Sequence, residues 1–516
     1  MSKFSRNSPT IKPELVSIDR PFSNFDFIEE ILPPDFPIHI PIQRLFSQVR
    51  QHEGKSLIIE QIEKSDDIKE EDEDIKQRNN DFQTSTIHRL SFFKKQIGHL
   101  NELSDTEPGD FLGYAVLKFN LFGSSLPIIR IYESVIKHSK HANNYIHGCP
   151  CWKCDVNSKS FEIDGYLYAQ QNSISNVCAH VALRTAISRF SDQGDMTYRE
   201  MNKIIGIDKS SNPIDGLDKD DLIKILNSAG ANCQEAMKTA DVPLRKWIYG
   251  GVESGFPAIV IFPVATSNDH HAIPIIGHTF NEDTWVPRAE MPSPLEGYFK
   301  VSDKIQYTPS EAFTDMFIIH DDNYGSNYCV PKDYFEGIKG ASVLVPKPPN
   351  VLMDSIEAES IGSGYLIDFF PLIQDAGPWA KRLNFYHFIK LLVIRPVLID
   401  GKRYVEHLRM IRGWDDKERI TNEIFLGDFE SQFGDEALWM VELSIPELFS
   451  ANKRKLGEVI LFADSPTTEQ DYSSLCMARL PGYFIIYEGG GQAKPKFKVD
   501  KSGINCHVCL YGTSEH

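Results

Sequence analysis

Long apolar runs are missing from this sequence, and so is any excess of basic residues. The most apolar segments, PAIVIFPV and HFIKLLVIRPVLI, are too short to cross a bilayer, so no membrane partner is expected. The N-terminal stretch MSKFSRNSPTIKPELVS lacks the apolar core of a secretory signal. Lysine and arginine total 54 against 72 acidic residues, a formal charge of -18. Phosphate backbones need a concentrated basic surface, so a general nucleic-acid binder is not expected. Cysteine is scarce too, at nine in 516 residues. That odd, modest count fits a reducing compartment better than a disulfide scaffold, and the expected location is cytoplasmic. No P-loop or dinucleotide fingerprint appears, and the glycine cluster EGGGQAKPK lacks the required spacing.

What is present is enough apolar material, 41% of residues, for two or three cores in a chain of this length. Residues 1–84 read as an N-terminal arm with an acidic insert, EKSDDIKEEDEDIKQRNN, whose like charges favour an exposed helix or loop. Residues 85–160 read as a small β-rich domain, with FLGYAVLKFNLF and LPIIRIYESVI as a hairpin across FGSS. Residues 161–345 change pattern. TYREMNKIIG, DKDDLIKILNSAG and PLRKWIYGGVESG read as helices, and PAIVIFPV, AIPIIGHTF and MFIIHD as strands. After PKPPN, residues 350–516 mix helical and strand-like segments into a C-terminal α+β domain.

The stretch YAQQNSISNVCAHVALRTAISRF carries the strongest chemical signal. A helix is expected to open at Cys178, and the peptide dipoles at a helix N-terminus favour a negative sulfur. Gln170, Gln171 and Asn172 lie shortly upstream, where a carboxamide could join the Cys178 N–H in holding an oxyanion. His270 and His271 stand at the mouth of AIPIIGHTF, and a histidine there is held rigidly while one ring edge faces a cleft. His278 differs from His271 in strand parity, and His180 does not share a helix face with Cys178. MFIIHDDNYG ends a strand in two acids, either of which could fix the tautomer of an imidazole. Against this stands the plainer reading of a buried core cysteine and ordinary turn residues.

The segment 165–328 resembles the papain-like cysteine peptidase superfamily, including its bacterial members. That resemblance implies an α+β fold, with a helical lobe plus an antiparallel sheet lobe, here flanked by further mixed α/β domains. It implies Cys178 as nucleophile and His271 as base, since HAIPIIG resembles the family's histidine followed by an apolar strand. It implies Asp322 as the orienting group, from DNYG, with Asp321 the alternative if the register slips by one. Gln171 takes the oxyanion role, because turns before the helix vary in length; the family's commoner spacing falls on Asn172. The expected activity is hydrolysis of a peptide, isopeptide or amide bond in a protein or peptide substrate, with no cofactor. An acyltransferase or transglutaminase-like enzyme with the same residues, and a non-catalytic interaction scaffold, are the alternatives.

The remaining cysteine signal lies in HGCPCWKC and INCHVC. The pairs Cys151/Cys154 and Cys506/Cys509 have the spacing of a structural zinc site, with His147 and His507 nearby. Free cysteines in loops are the simpler reading.

Overall fold

The structure is a computed structural model. It describes residues 13–18, 40–123, 128–138, 144–172, 178–191, 194–207, 216–239, 242–264, 270–281, 299–300, 306–373, 377–389, 391–410, 416–465, 472–489, 496–501 and 507–508. Helices and largely antiparallel sheets make it an α+β protein. The chain divides into two compact units. The first comprises Met1–Leu244, Gly255–Gly277 and Phe317–Lys347; the second comprises Arg245–Ser254, His278–Met316 and Pro348–His516.

The chain begins β1 (Glu14–Ser17), α1 (Ile40–Gln51), β2 (Ser56–Gln61), α2 (Asp66–Arg78), β3 (Phe82–Phe93), β4 (Phe111–Phe122) and β5 (Ile128–Ile136). There follow β6 (Asn144–Tyr145), β7 (Cys151–Val156), β8 (Lys159–Asp164), α3 (Cys178–Ile187), α4 (Tyr198–Ile204) and α5 (Lys219–Ser228). Next come β9 (Asn232–Met237), α6 (Leu244–Glu253), β10 (Ala258–Pro263), β11 (His270–Phe280), β12 (Phe299–Lys300) and β13 (Gln306–Pro309). Then come β14 (Thr314–Asp321), β15 (Gly325–Pro331) and β16 (Ser342–Lys347).

Strands β1 to β5 form one antiparallel sheet in sequence order. Period-2 alternation gives this sheet two apolar faces. Leu57, Ile59, Leu90 and Phe92 pack with Leu45, Phe46 and Val49 of α1. Ile58, Phe93, Phe111 and Val116 pack with Trp152 and Phe161 of the β7–β8 hairpin. The sheet therefore runs across the boundary expected at residue 84, because β2 pairs with β3 from Ser56↔Phe93 to Gln61↔His88. Likewise, 161–345 is not one compact piece, since Arg245–Ser254 and His278–Met316 group with the second unit.

The acidic insert is a helix, but only one side of it faces water. Ser65 caps α2 by accepting from the Ile68 N–H, and Ile68 and Ile75 are buried. Residues 68, 71 and 75 share a face at helical spacing, so Glu71 is buried as well. Its carboxylate accepts from Lys118 Nζ at 2.6 Å, from Asn172 Nδ2 at 3.1 Å and from Arg130. Burial alone would raise the Glu71 carboxyl, yet Arg130 and Lys118 hold it down at about 2. Charge density alone hid this role.

In the second sheet of this unit the order is β15-β14-β11-β10-β16-β9, with β6 also pairing β11. Helices α3 and α5 cover its centre. Ala179, Ala182 and Ala186 let α3 approach closely, packing with Leu222, Leu226, Ile259, Ala272 and Leu344. The second unit continues through α7 (Ser355–Phe369), α8 (Pro378–Phe388), β17 (Val393–Asp400), α9 (Gly401–Met410), α10 (Asp416–Phe433) and β18 (Ala437–Ser444). After these come α11 (Pro446–Asn452), β19 (Arg454–Lys455), β20 (Gly457–Phe462), β21 (Leu475–Leu480), β22 (Tyr483–Gly489) and β23 (Lys496–Lys501). Its eight-stranded sheet has the order β12-β13-β17-β18-β20-β21-β22-β23. A row of buried charges crosses it, with Arg395 paired to Glu442, Lys455 to Glu442 and Arg479 to Glu458.

Removing the Glu71 carboxylate takes an ion-pair partner from buried Arg130 and leaves buried Lys118 with Asp72 alone. Glu71→Ala is expected to cost about 3–5 kcal/mol of unfolding free energy at pH 7, measured by chemical denaturation. The folded pKa is depressed, so this stability is present above the unfolded value of about 4.5 and lost as pH falls towards 2. The wild-type advantage should therefore shrink across that window.

Candidate active site

Three elements of the first unit meet around one histidine. Helix α3 opens at Cys178, β11 opens at His270 and β14 closes at Asp321. Strands β11 and β14 are neighbours, so the mouth of one lies beside the end of the other. The turn Asp322–Tyr324 leads into β15 through Gly325, whose φ of +114° suits glycine. Asp321 Oδ1 holds that turn by accepting from the backbone N–H groups of Asn323 at 2.8 Å and Tyr324 at 3.1 Å.

The Cys178 thiol is seated against the backbone of β11. Its sulfur lies 3.9 Å from the His270 carbonyl oxygen. The backbone N–H groups of Cys178, Ala179 and Ala272 face the sulfur and favour its charged form. The thiol thus meets the residues on either side of His271. Burial outweighs these donors and, with the Asp322 carboxylate nearby, pushes the thiol up to about 11. At neutral pH the resting sulfur carries its proton.

The His271 ring packs edge-on against Phe262, its cross-strand partner on β10. His271 Nε2 lies 3.3 Å from Asp322 Oδ1 and 4.0 Å from Asp321 Oδ2. The nearer contact has the reach of an ion pair but not the alignment of a hydrogen bond. Among the described residues, His271 Nε2 and Asp322 Oδ2 are buried without hydrogen-bond partners. Burial lowers the His271 pKa, against the pull of Asp321. Burial, then repulsion from Asp321, raises the Asp322 carboxyl to about 7. Both acids named in the sequence are therefore at the ring, with Asp322 the closer.

The three amides separate cleanly. Gln170 accepts from the Ile131 N–H and from Arg130, and Asn172 donates to Glu71, so both are committed to the scaffold. Gln171 Nε2 instead donates to Asn323 Oδ1 at 3.3 Å, and Asn323 Nδ2 donates to Asp322 Oδ1 at 3.1 Å. Gln171 is thus joined to the carboxylate side of the site through Asn323. Sequence reasoning passed over Asn323. The only signal for it was its place after two acids at a strand end.

Other candidates lie apart from this cluster. His180 is buried, bonded to Asn202 Oδ1 at 2.8 Å and pushed down to about 4, mainly by burial. His278 bonds Glu253 Oε2 at 2.5 Å inside the second unit. The Cys151/Cys154 pair is not arranged to share an ion. Both sit on β7 three residues apart, so alternation leaves Cys151 exposed while Cys154 is buried in the β7–β8 core. Cys506 and Cys509 lie outside the described residues. No family model matches the chain, and no curated protein matches it.

Burial, and after it repulsion from Asp321, penalises ionised Asp322, so its folded pKa is raised. The folded state then binds the extra proton, and stability falls as pH rises from about 4 to about 7. Asp322→Asn removes that repulsion. It is expected to stabilise the protein at pH 8 by on the order of 1 kcal/mol and to have little effect at pH 4, read by thermal melts at both values.

Proposed function

We propose that this chain is a thiol hydrolase of the cysteine peptidase or amidase type, acting on a peptide, isopeptide or amide bond of a protein or peptide substrate. The observation that carries the reading is His271. Its Nε2 edge faces Asp322, while the backbone of its strand holds the sulfur of Cys178. With Nε2 turned to the carboxylates, Nδ1 is the ring nitrogen that takes the thiol proton.

The cycle follows from these positions. His271 removes the Cys178 proton as the sulfur attacks the carbonyl carbon. The negative charge this creates on the carbonyl oxygen is met by the Cys178 N–H, with the Gln171 carboxamide as second donor. Asp322, ionised, steadies the imidazolium. The imidazolium then gives its proton to the departing amine, leaving a thioester that water cleaves with His271 again as base. Because the resting thiol is protonated, the proton moves during attack rather than before it.

The test compares thiols within one protein. At pH 8, iodoacetamide followed by peptide mass spectrometry should label Cys178 faster than the exposed Cys151 and Cys329, and His271→Ala should slow Cys178 alone by at least about tenfold. Equal rates across the three thiols, or no effect of His271→Ala, would overturn the reading. On the best substrate from a fluorogenic peptide library, Cys178→Ala should abolish turnover. Gln171→Ala should lower kcat/KM about 100-fold, against little change for Gln170→Ala. For the wild type, kcat/KM should climb as pH rises through about 7, where Asp322 gains its charge, and Asp322→Asn should lose that limb.

A further inference from the structure

We propose that His271 Nε2, Asp321 and Asp322 form a binding site for a divalent first-row cation such as Mn2+ or Zn2+, and that the bound ion excludes His271 from acting as a base. One donor atom from each of the three residues lies within 4.8 Å of the others. The set is one imidazole and two carboxylates, a donor combination suited to such ions. Donors about 2.1 Å from a metal lie roughly 3.0–3.4 Å apart along tetrahedral or octahedral edges. The Nε2 to Asp322 distance of 3.3 Å already matches that edge. Asp321 Oδ2, at 4.0 Å, needs to approach by roughly 0.6–1.0 Å, within side-chain rotation.

Two features point to a ligand beyond the clustering of acids. The Asp322 side chain is only 4% exposed, yet its Oδ2 has no hydrogen-bond partner among the described residues. His271 Nε2, 3.3 Å from the other oxygen of the same carboxylate, has none either. Buried polar atoms of this kind normally find a partner. A cation would satisfy both and offset the repulsion between two adjacent carboxylates. Asp321 is anchored for the role, since its Oδ1 holds two backbone N–H groups and Oδ2 is turned to the ring.

Proton counting makes the two states exclusive. As a base, His271 needs its proton on Nε2 and a lone pair on Nδ1. With a metal on Nε2, neutral imidazole carries its proton on Nδ1 and has no lone pair for the thiol. Metal binding therefore switches the tautomer and leaves Cys178 protonated. This consequence rests on the thiol reading above; the binding itself does not.

Binding is measured on the full chain by Mn2+ titration with electron paramagnetic resonance, since Mn2+ favours oxygen and nitrogen donors over the chain's thiols. Wild type and Cys178→Ser should each take up one more tightly held Mn2+ than Asp321→Asn or His271→Ala. Asp321→Asn keeps an oxygen for the Asn323 and Tyr324 N–H groups, so the turn is retained. Equal uptake by all four proteins would overturn the site. In the second arm, saturating Mn2+ should slow iodoacetamide labelling of wild-type Cys178 at least about tenfold, reversed by EDTA, with a clearly smaller ratio in Asp321→Asn. Unchanged labelling at full Mn2+ occupancy would overturn the exclusion. A Cys178 that resists labelling without metal counts against the thiol hydrolase, while the titration still decides the site.

Discussion

The chemistry proposed for this chain depends on where one proton sits on one imidazole ring. His271 has a thiol held at the backbone of its own strand and two carboxylates at its Nε2 edge, and only the tautomer protonated on Nε2 leaves Nδ1 a lone pair for the thiol side. The fold enforces the arrangement through backbone pairing. Adjacent strands β11 and β14 set the ring against the acids, and β11 offers its own N–H at Ala272 to the sulfur. The sulfur side of this arrangement is therefore made by the main chain of β11. The stripe of alanines on α3 lets the helix N-terminus come close enough to complete it.

A helix N-terminus is often taken as enough to activate a thiol. Here the magnitudes decide otherwise. A helix terminus contributes about 0.3–1 kcal/mol in exposed settings and about 2 kcal/mol in partly buried ones. Burial, aided by the Asp322 charge, more than cancels that, and the thiol titrates near 11. In the proposed mechanism activation therefore falls to His271, which needs a charged partner to hold the proton it takes. Asp322 can provide that charge only above about 7, because it is buried and because Asp321 stands next to it. Asp321 thus adds to the cost of ionising Asp322, while its own Oδ1 holds the turn that carries Asp322.

Elements that announce themselves locally were legible in the sequence. The helix opening at Cys178, the strand entered at His271 and the acids closing the third strand all lie where hydrophobic period and turn residues put them. What escaped was set by partners distant in the chain. The acidic insert looked solvated because Lys118 and Arg130, which bury Glu71, lie 47 and 59 residues away. The boundary at residue 84 looked natural because β2 and β3 are joined through a polar helix, yet they pair in register. Cys151 and Cys154 have a metal-like spacing, but on a strand that spacing sends them to opposite faces. Asn323 was invisible because an asparagine in a turn is the commonest thing to find there.

The acidic helix and the site are parts of one construction. Glu71 binds Asn172 directly, and Arg130 binds both Glu71 and the carbonyl of Gln170. The residues on either side of Gln171 are thereby fixed to the five-stranded sheet, and the amide between them is left to reach Asn323. A donor aimed at a developing oxyanion loses much of its value when displaced by an ångström. The buried ion cluster adds little net stability for its desolvation cost. Its physical return is positional: it anchors a short loop that has no regular structure of its own. The five-stranded sheet thus fixes the backbone on both sides of Gln171, and the one buried acid of the charged helix is part of that anchorage.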